Sequence, residues 1–224
     1  MKAFFRKMVR KLVPEEKVPS RDWPWMSDPV AKKTEWVALA SGGTNICTHR
    51  LKEGRAGCRH FVMTLGAKAF ASVFLGMGIG ISVFLVYQMW QEHGGQPSLQ
   101  MLLPLLVGGV FAGVGVFLLR SLSRPRVFDR NLGLYWSTRK PPENLESVSR
   151  YKEWVYLQEI HALQILREYV RGDKSSYYSY ELNLVMDDGQ RLNVVDHGSL
   201  HKLREDADEL SRFLGVPLWD STKD

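Results

Sequence analysis

The sequence predicts two apolar membrane helices joined as a hairpin, followed by an α+β domain in which a small β-barrel or curved sheet is closed by one amphipathic helix. Three observations lead there. Charge vanishes from the middle of the chain: no Lys, Arg, Asp or Glu lies between Lys68 and Glu92, or between Glu92 and Arg120. Beyond that gap, alternating apolar segments punctuated by turn residues follow one another. Near the end, Leu200, Leu203, Ala207, Leu210 and Leu214 recur at helical spacing.

The average composition conceals this segregation. Hydrophobic residues make up 45% of the 224, an ordinary share, and the 30 Lys and Arg exceed the 24 Asp and Glu for a net charge of +6. Much of the basic excess flanks the apolar stretches, which points to an anionic membrane surface. Nucleic acid is not the expected partner, because the polar segments hold no basic helix interleaved with stacking aromatics. With only Cys47 and Cys58 present, no disulfide framework is expected, and both are free thiols if they face the cytoplasm.

Residues 1–35 read as a basic amphipathic helix and a linker. Phe4, Phe5, Met8, Val9 and Leu12 share one helical face, while Lys2, Arg6, Lys7, Arg10 and Lys11 cover the other. Such a helix lies on an anionic leaflet or packs on the protein's own soluble part. A secretory signal peptide needs a continuous apolar run, which is lacking here. Pro14, Pro19, Pro24 and Pro29 then mark an irregular linker.

Residues 36–65 read as a short β-containing segment with a turn at Gly42-Gly43. Cys47 and His49, then Cys58 and His60, repeat a Cys-x-His spacing. Residues two apart on a strand face one side, so a hairpin of two such pairs can present a Cys2His2 zinc site. The spacing differs from standard zinc motifs, and a plain β element explains it equally. No cofactor is assigned.

Residues 66–120 form the hairpin, with spans at about 69–90 and 99–119. About 20 apolar residues cross the ~30 Å hydrocarbon layer. Ten residues of the first span are Phe, Leu, Ile or Val, each favouring insertion by roughly 0.3–0.6 kcal/mol. Tyr87 and Trp90 suit an interface, and Pro104 suits a helix start. The connection Gln91–Ser98 is short, which forces antiparallel neighbours. Gly76 and Gly80, and Gly109 and Gly113, are four apart, a spacing that serves packing within the hairpin or oligomerisation. Gly76, Gly78 and Gly80 resemble a nucleotide loop only in spelling, since they lie inside an uncharged span and not between a strand and a helix. Neither span carries a carboxylate or a buried base, which argues against a channel or pump made by the hairpin alone. Arg50, Lys52, Arg55, Arg59 and Lys68 precede the spans, Arg120, Arg124, Arg126 and Arg130 follow them, and the connection has no Lys or Arg. The positive-inside rule therefore places both termini in the cytoplasm.

Residues 124–218 read as the cytoplasmic domain. Val127–Asp129 and Leu134–Trp136 are strands around a turn, and Val155–Val170 is two strands or one bent strand. Tyr180–Met186 and Arg191–Val195 form a hairpin about Asp188-Gly189. The final helix is capped by Asp196 or Ser199 and ended by Gly215 and Pro217. The helix's Glu205, Asp206, Asp208 and Glu209 read as a solvated face or an acidic docking surface. Asp196, His197 and Ser199 do not make a triad, because consecutive strand residues point to opposite faces. Asp187 and Asp188 read as turn residues. A fragment beginning near Arg124 is expected to fold alone.

The FDRNLGLYW strand pair, the VYLQEIHALQIL strand, the YELNLVMDDGQRLNVV hairpin and the final helix resemble the bacterial pleckstrin-homology-like domains found in membrane proteins. The layout as a whole is similar to uncharacterised bacterial two-helix membrane proteins with such a domain. The resemblance implies a multi-pass protein of the bacterial inner membrane and a binding or assembly module without a shared catalytic residue. The lipid-binding basic loop of eukaryotic relatives has only Arg139 and Lys140 as counterpart. The expected function is a non-enzymatic, membrane-anchored interaction module whose partners are the bilayer and a protein or a second copy of the chain, with no small-molecule substrate. Arg167, Tyr177 and Tyr178 are its candidate partner-binding residues. Its alternatives are an accessory subunit of a membrane enzyme or transporter and a zinc-binding membrane module.

Overall fold

The computed structural model describes residues 23–39, 42–142, 153–172 and 175–222. The amphipathic helix expected over residues 1–13, with Lys2, Phe4, Phe5, Arg6, Lys7, Arg10 and Lys11, lies outside them. Two long apolar helices and two β-sheets make up the α+β architecture.

The helices come where the charge gap predicts. α2 runs Leu65–Glu92, after a short α1 at Pro29–Lys33, and α3 runs Leu102–Leu122 behind a 3-10 turn at Leu99–Met101. Thr64 caps α2 by accepting from the Ala67 amide, and Pro104 sits in the first turn of α3, where its missing N–H costs nothing. Both helices are long and apolar enough to cross a membrane, and only 17% and 11% of their most apolar stretches are buried. The core helix of a water-soluble protein buries such a surface. Here Phe84, Leu103, Leu106, Val110 and Phe117 all face outward.

The first sheet contains β1 (His49–Glu53), β2 (Cys58–Met63), β3 (Arg126–Asp129), β4 (Leu134–Trp136) and β5 (Trp154–Tyr156), paired antiparallel in that order. This redraws the expected boundaries. Residues 36–65 are no separate element, because β2 pairs with β3 and the whole apolar hairpin is the connection between those two strands. The second sheet has the order β8-β7-β6-β9, with β6 (Ile160–Arg171), β7 (Ser176–Met186), β8 (Arg191–His197) and β9 (Leu218–Asp220). The expected barrel does not close: the sheets are hydrogen-bonded separately.

One core joins the sheets. Leu51, Phe61, Phe128 and Tyr135 from the first meet Leu163, Ile165, Leu182 and Val194 from the second. The amphipathic helix α4 (Leu200–Leu214) covers it with Leu203, Ala207, Leu210 and Phe213, and Gly215 ends that helix in the left-handed region at φ 76°. The segment before β1 straps the other face of the second sheet. Trp36 lies 5.3 Å from Trp23, 6.4 Å from Trp25 and 5.9 Å from Trp219, ring centre to ring centre. His161 bridges Asp28 of this strap and Asp187 of the β7–β8 turn, and both hold the imidazole pKa above its ordinary value.

Candidate functional site

The chemistry-bearing side chains converge at the joint between domain and apolar hairpin. Thr64 organises it: its amide donates to the Thr48 carbonyl at 2.9 Å and its hydroxyl to the Cys47 carbonyl at 2.6 Å. His49 sits at the end of the other helix. The Thr48 hydroxyl donates to the Asp196 carbonyl, so it accepts from His49 Nδ1–H at 2.9 Å. His49 Nε2 then carries the lone pair and accepts from Arg126 Nη1 at 2.9 Å, beside the Leu122 carbonyl that ends α3. Burial and the adjacent guanidinium push this imidazole down to about 4, so it is neutral. Met63, Ala67, Ala71 and partly buried Ile46, Leu118, Leu119 and Leu122 form a separate apolar cluster around the joint.

A nucleophile and a base meet here. Cys47 Sγ lies 3.0 Å from His197 Nε2. The Ser199 amide donates to His197 Nδ1 at 3.0 Å, which leaves the ring proton on Nε2, and the His49 carbonyl is 3.2 Å from that nitrogen. The imidazole therefore presents a proton to sulfur rather than a lone pair. Burial raises the thiol pKa and lowers that of His197. An activated thiolate needs the opposite shifts.

Beside Cys47 opens a cleft of about 400 Å³. It is lined by Arg50 of β1, Thr64, Gly66 and Phe70 at the start of α2, and Lys202 of α4. Arg50 is shared with α4, whose acidic residues are not simply a solvated face. Asp206 is buried and accepts from Arg50 Nε and from the Leu51 amide, both at 3.1 Å. Burial raises its carboxyl pKa to about 6. Glu205 pairs with Arg50, and Glu209 with Arg59.

The four zinc candidates do not converge. His49 and Cys47 sit at the joint, whereas Cys58 pairs with Asp129 and His60 with Lys52 farther along the sheet. Among the described residues no group of three or more His, Cys, Asp or Glu could hold a metal ion. Asp196 and Ser199 likewise flank His197 without forming a relay: the Asp196 carboxylate accepts from Asn193.

The glycines divide by face. A Cβ on Gly76, Gly80, Gly109 or Gly113 meets nothing within 4 Å, so these four lie on outward faces of the hairpin and do not pack its helices together. The seam uses other small residues. A Cβ on Gly78 falls 2.4 Å from the Ala112 amide nitrogen, and one on Gly115 falls 2.5 Å from that of Leu75. Ser82 donates to the Pro104 carbonyl across the seam at 2.8 Å. Ala71 and Gly78, like Gly108 and Gly115, are seven apart, and that period was the available signal.

Arg167, Tyr177 and Tyr178 divide too. The Arg167 guanidinium stacks 5.0 Å over the Tyr178 ring, and Tyr178 lies 5.3 Å from Tyr169, leaving both tyrosines nearly half exposed. Tyr177 instead turns inward, its hydroxyl donating to the Gly43 carbonyl at 2.8 Å. Tyr180 is the partner of His197, so the strand pair β6–β7 runs on past the end of β8, at the joint end of the sheet.

Comparison with protein-family models, curated proteins and solved structures finds no match.

Proposed function

We propose that this protein is a non-enzymatic, membrane-anchored module that holds an interaction domain against the cytoplasmic face of a membrane. The observation that carries the reading is the insertion of the apolar hairpin between the paired strands β2 and β3. A loose tether allows a domain to wander from the bilayer. Here two chain crossings and the Thr64 cap, with His49 seated at the end of the second helix, fix the domain's orientation to the hairpin. Both chain termini then share one side, and the Lys and Arg flanking the spans assign that side to the cytoplasm. The antiparallel strands β1–β8 with α4 over their core support the pleckstrin-homology-like reading of the domain, to which β9 adds a parallel edge strand. The reversed tautomer of the Cys47–His197 pair supports a role other than catalysis.

The exposed cluster of Arg167, Tyr169 and Tyr178 is the proposed protein-contact surface, since a cation stacked on aromatic rings is typical of binding hot spots. A photocrosslinking residue at position 178 in the native membrane tests it. A protein adduct of defined mass at 178 and none at exposed Leu132 is the expected result, and lipid adducts alone at 178 contradict it. A second reading, assembly within the membrane, is favoured by the outward small pairs Gly76 and Gly80, and Gly109 and Gly113. It makes the chain self-associating or an accessory subunit of a larger membrane complex.

A further inference from the structure

We propose that the cleft at the joint binds the phosphate headgroup of an anionic phospholipid drawn from the adjoining leaflet. The inference rests on the reading that the hairpin crosses a membrane.

The cleft has the two chemistries such a ligand needs. On its polar side, Arg50 from β1 and Lys202 from α4 reach it from different elements. Both charges act on the same neighbours, favouring the Cys47 thiolate and disfavouring protonation of His197. Arg50 is already matched by Glu205 and Asp206, whereas Lys202 has no carboxylate partner among the described residues. Lys202 therefore supplies the uncompensated positive charge. The first turn of α2 adds hydrogen-bond donors. Thr64 takes the Ala67 amide, and the Leu65 and Gly66 amides have no acceptor within the helix. Nothing lies within 4 Å of where a Gly66 side chain would begin, so the backbone there is open to a ligand.

The remaining wall is apolar. Ile46, Ala67 and Phe70 line it, and Phe70, 48% exposed, belongs to the stretch after Lys68 that carries no charge. Free phosphate gains nothing from that wall. A lipid places its headgroup between Lys202 and the start of α2 and lays its glycerol and upper acyl chain along Phe70. A cleft of about 400 Å³ that is open on one side suits a headgroup and not a whole lipid.

The full chain in neutral detergent is titrated with three probes: short-chain phosphatidylglycerol, short-chain phosphatidylcholine and inorganic phosphate. At about ten times the half-saturating concentration, phosphatidylglycerol is expected to raise the unfolding midpoint by roughly 3–6 °C. Phosphatidylcholine and phosphate are expected to give less than half of that. Lys202→Gln removes a solvent-exposed charge and no internal contact, and should abolish most of the shift, while Lys52→Gln on the same domain should retain it. Equal shifts with both lipids, or an unchanged shift in Lys202→Gln, overturn the proposal. An equal shift with inorganic phosphate overturns the lipid assignment. Alkaline carbonate extraction separates the two readings: release of the protein overturns the membrane anchor itself, whereas a resistant protein without the lipid shift overturns the headgroup site alone.

Discussion

Phe61 and Arg126 are paired across adjacent antiparallel strands, although both apolar helices lie between them in the chain. The hairpin is therefore an enlarged turn inside a sheet, and the strands on either side of it belong to one folding unit.

That relationship changes what an autonomous fragment must contain. A fragment beginning near Arg124 lacks β1 and β2, and with them Leu51 and Phe61 of the core and the Leu51 amide that Asp206 accepts. It should show no cooperative urea transition. A chain with Thr64 joined to Ser123 by a short glycine-rich turn should unfold cooperatively and in one step. Cooperative unfolding of the Arg124 fragment contradicts the shared sheet.

The core cap offers a cleaner comparison. Leu210 is fully buried, and Leu210→Ala should cost about 2–5 kcal/mol through lost apolar burial and the cavity left behind. Glu209 is part-exposed in its pair with Arg59, and Glu209→Ala should cost less than about 1 kcal/mol. Equal shifts of the urea midpoint in the re-joined soluble chain would show that α4 is docked by another face.

Much of this was legible in the sequence, and what was not has a common cause. The charge gap placed both helices, the alternation from Tyr180 placed β7 and β8, and the stripe through Leu210 placed α4, because each is a local pattern. The pairing of β2 with β3 was hidden because its partners are separated by the hairpin. Asp206 read as surface charge, since nothing near it in sequence shows that the Leu51 amide and Arg50 await it. The cluster of Trp23, Trp25, Trp36 and Trp219 likewise draws on both ends of the chain. The helix seam was missed because a period of four, at Gly76 and Gly109, is more familiar than the period of seven at Gly78 and Gly108.

The glycine faces can be separated in detergent. Gly108→Val forces a side chain into Ser82 and the Gly78 carbonyl, and should lower the unfolding midpoint by an amount equivalent to roughly 1–3 kcal/mol or more. Gly109→Val, one residue on, points into open space and should leave the midpoint nearly unchanged. Reversal of that order would place the seam on the other face.

Acid should act through Asp206 and His49 in opposite directions. His49 titrates near 4 in the fold and near 6.5 unfolded, so as pH falls through that window the unfolded chain takes up the proton and stability is lost. Asp206 titrates near 6 in the fold and near 3.8 unfolded, so over about pH 6 to 4 the folded chain takes up the proton and stability is gained. Asp206→Asn removes only the second effect. Between pH 7 and 4 the variant should therefore lose more stability than the unaltered chain, by on the order of 2 kcal/mol. Parallel pH profiles in urea would contradict a buried, acid-shifted Asp206.

The most direct test of the anchored-module account is topology in the living cell. A reporter active only outside the cytoplasm is fused in separate chains before residue 1, after residue 95 and after residue 224. The account predicts activity at 95 and silence at both termini, because the hairpin crosses twice and returns β3 to the side from which β2 departed. Activity at either terminus, or silence at all three positions, contradicts it.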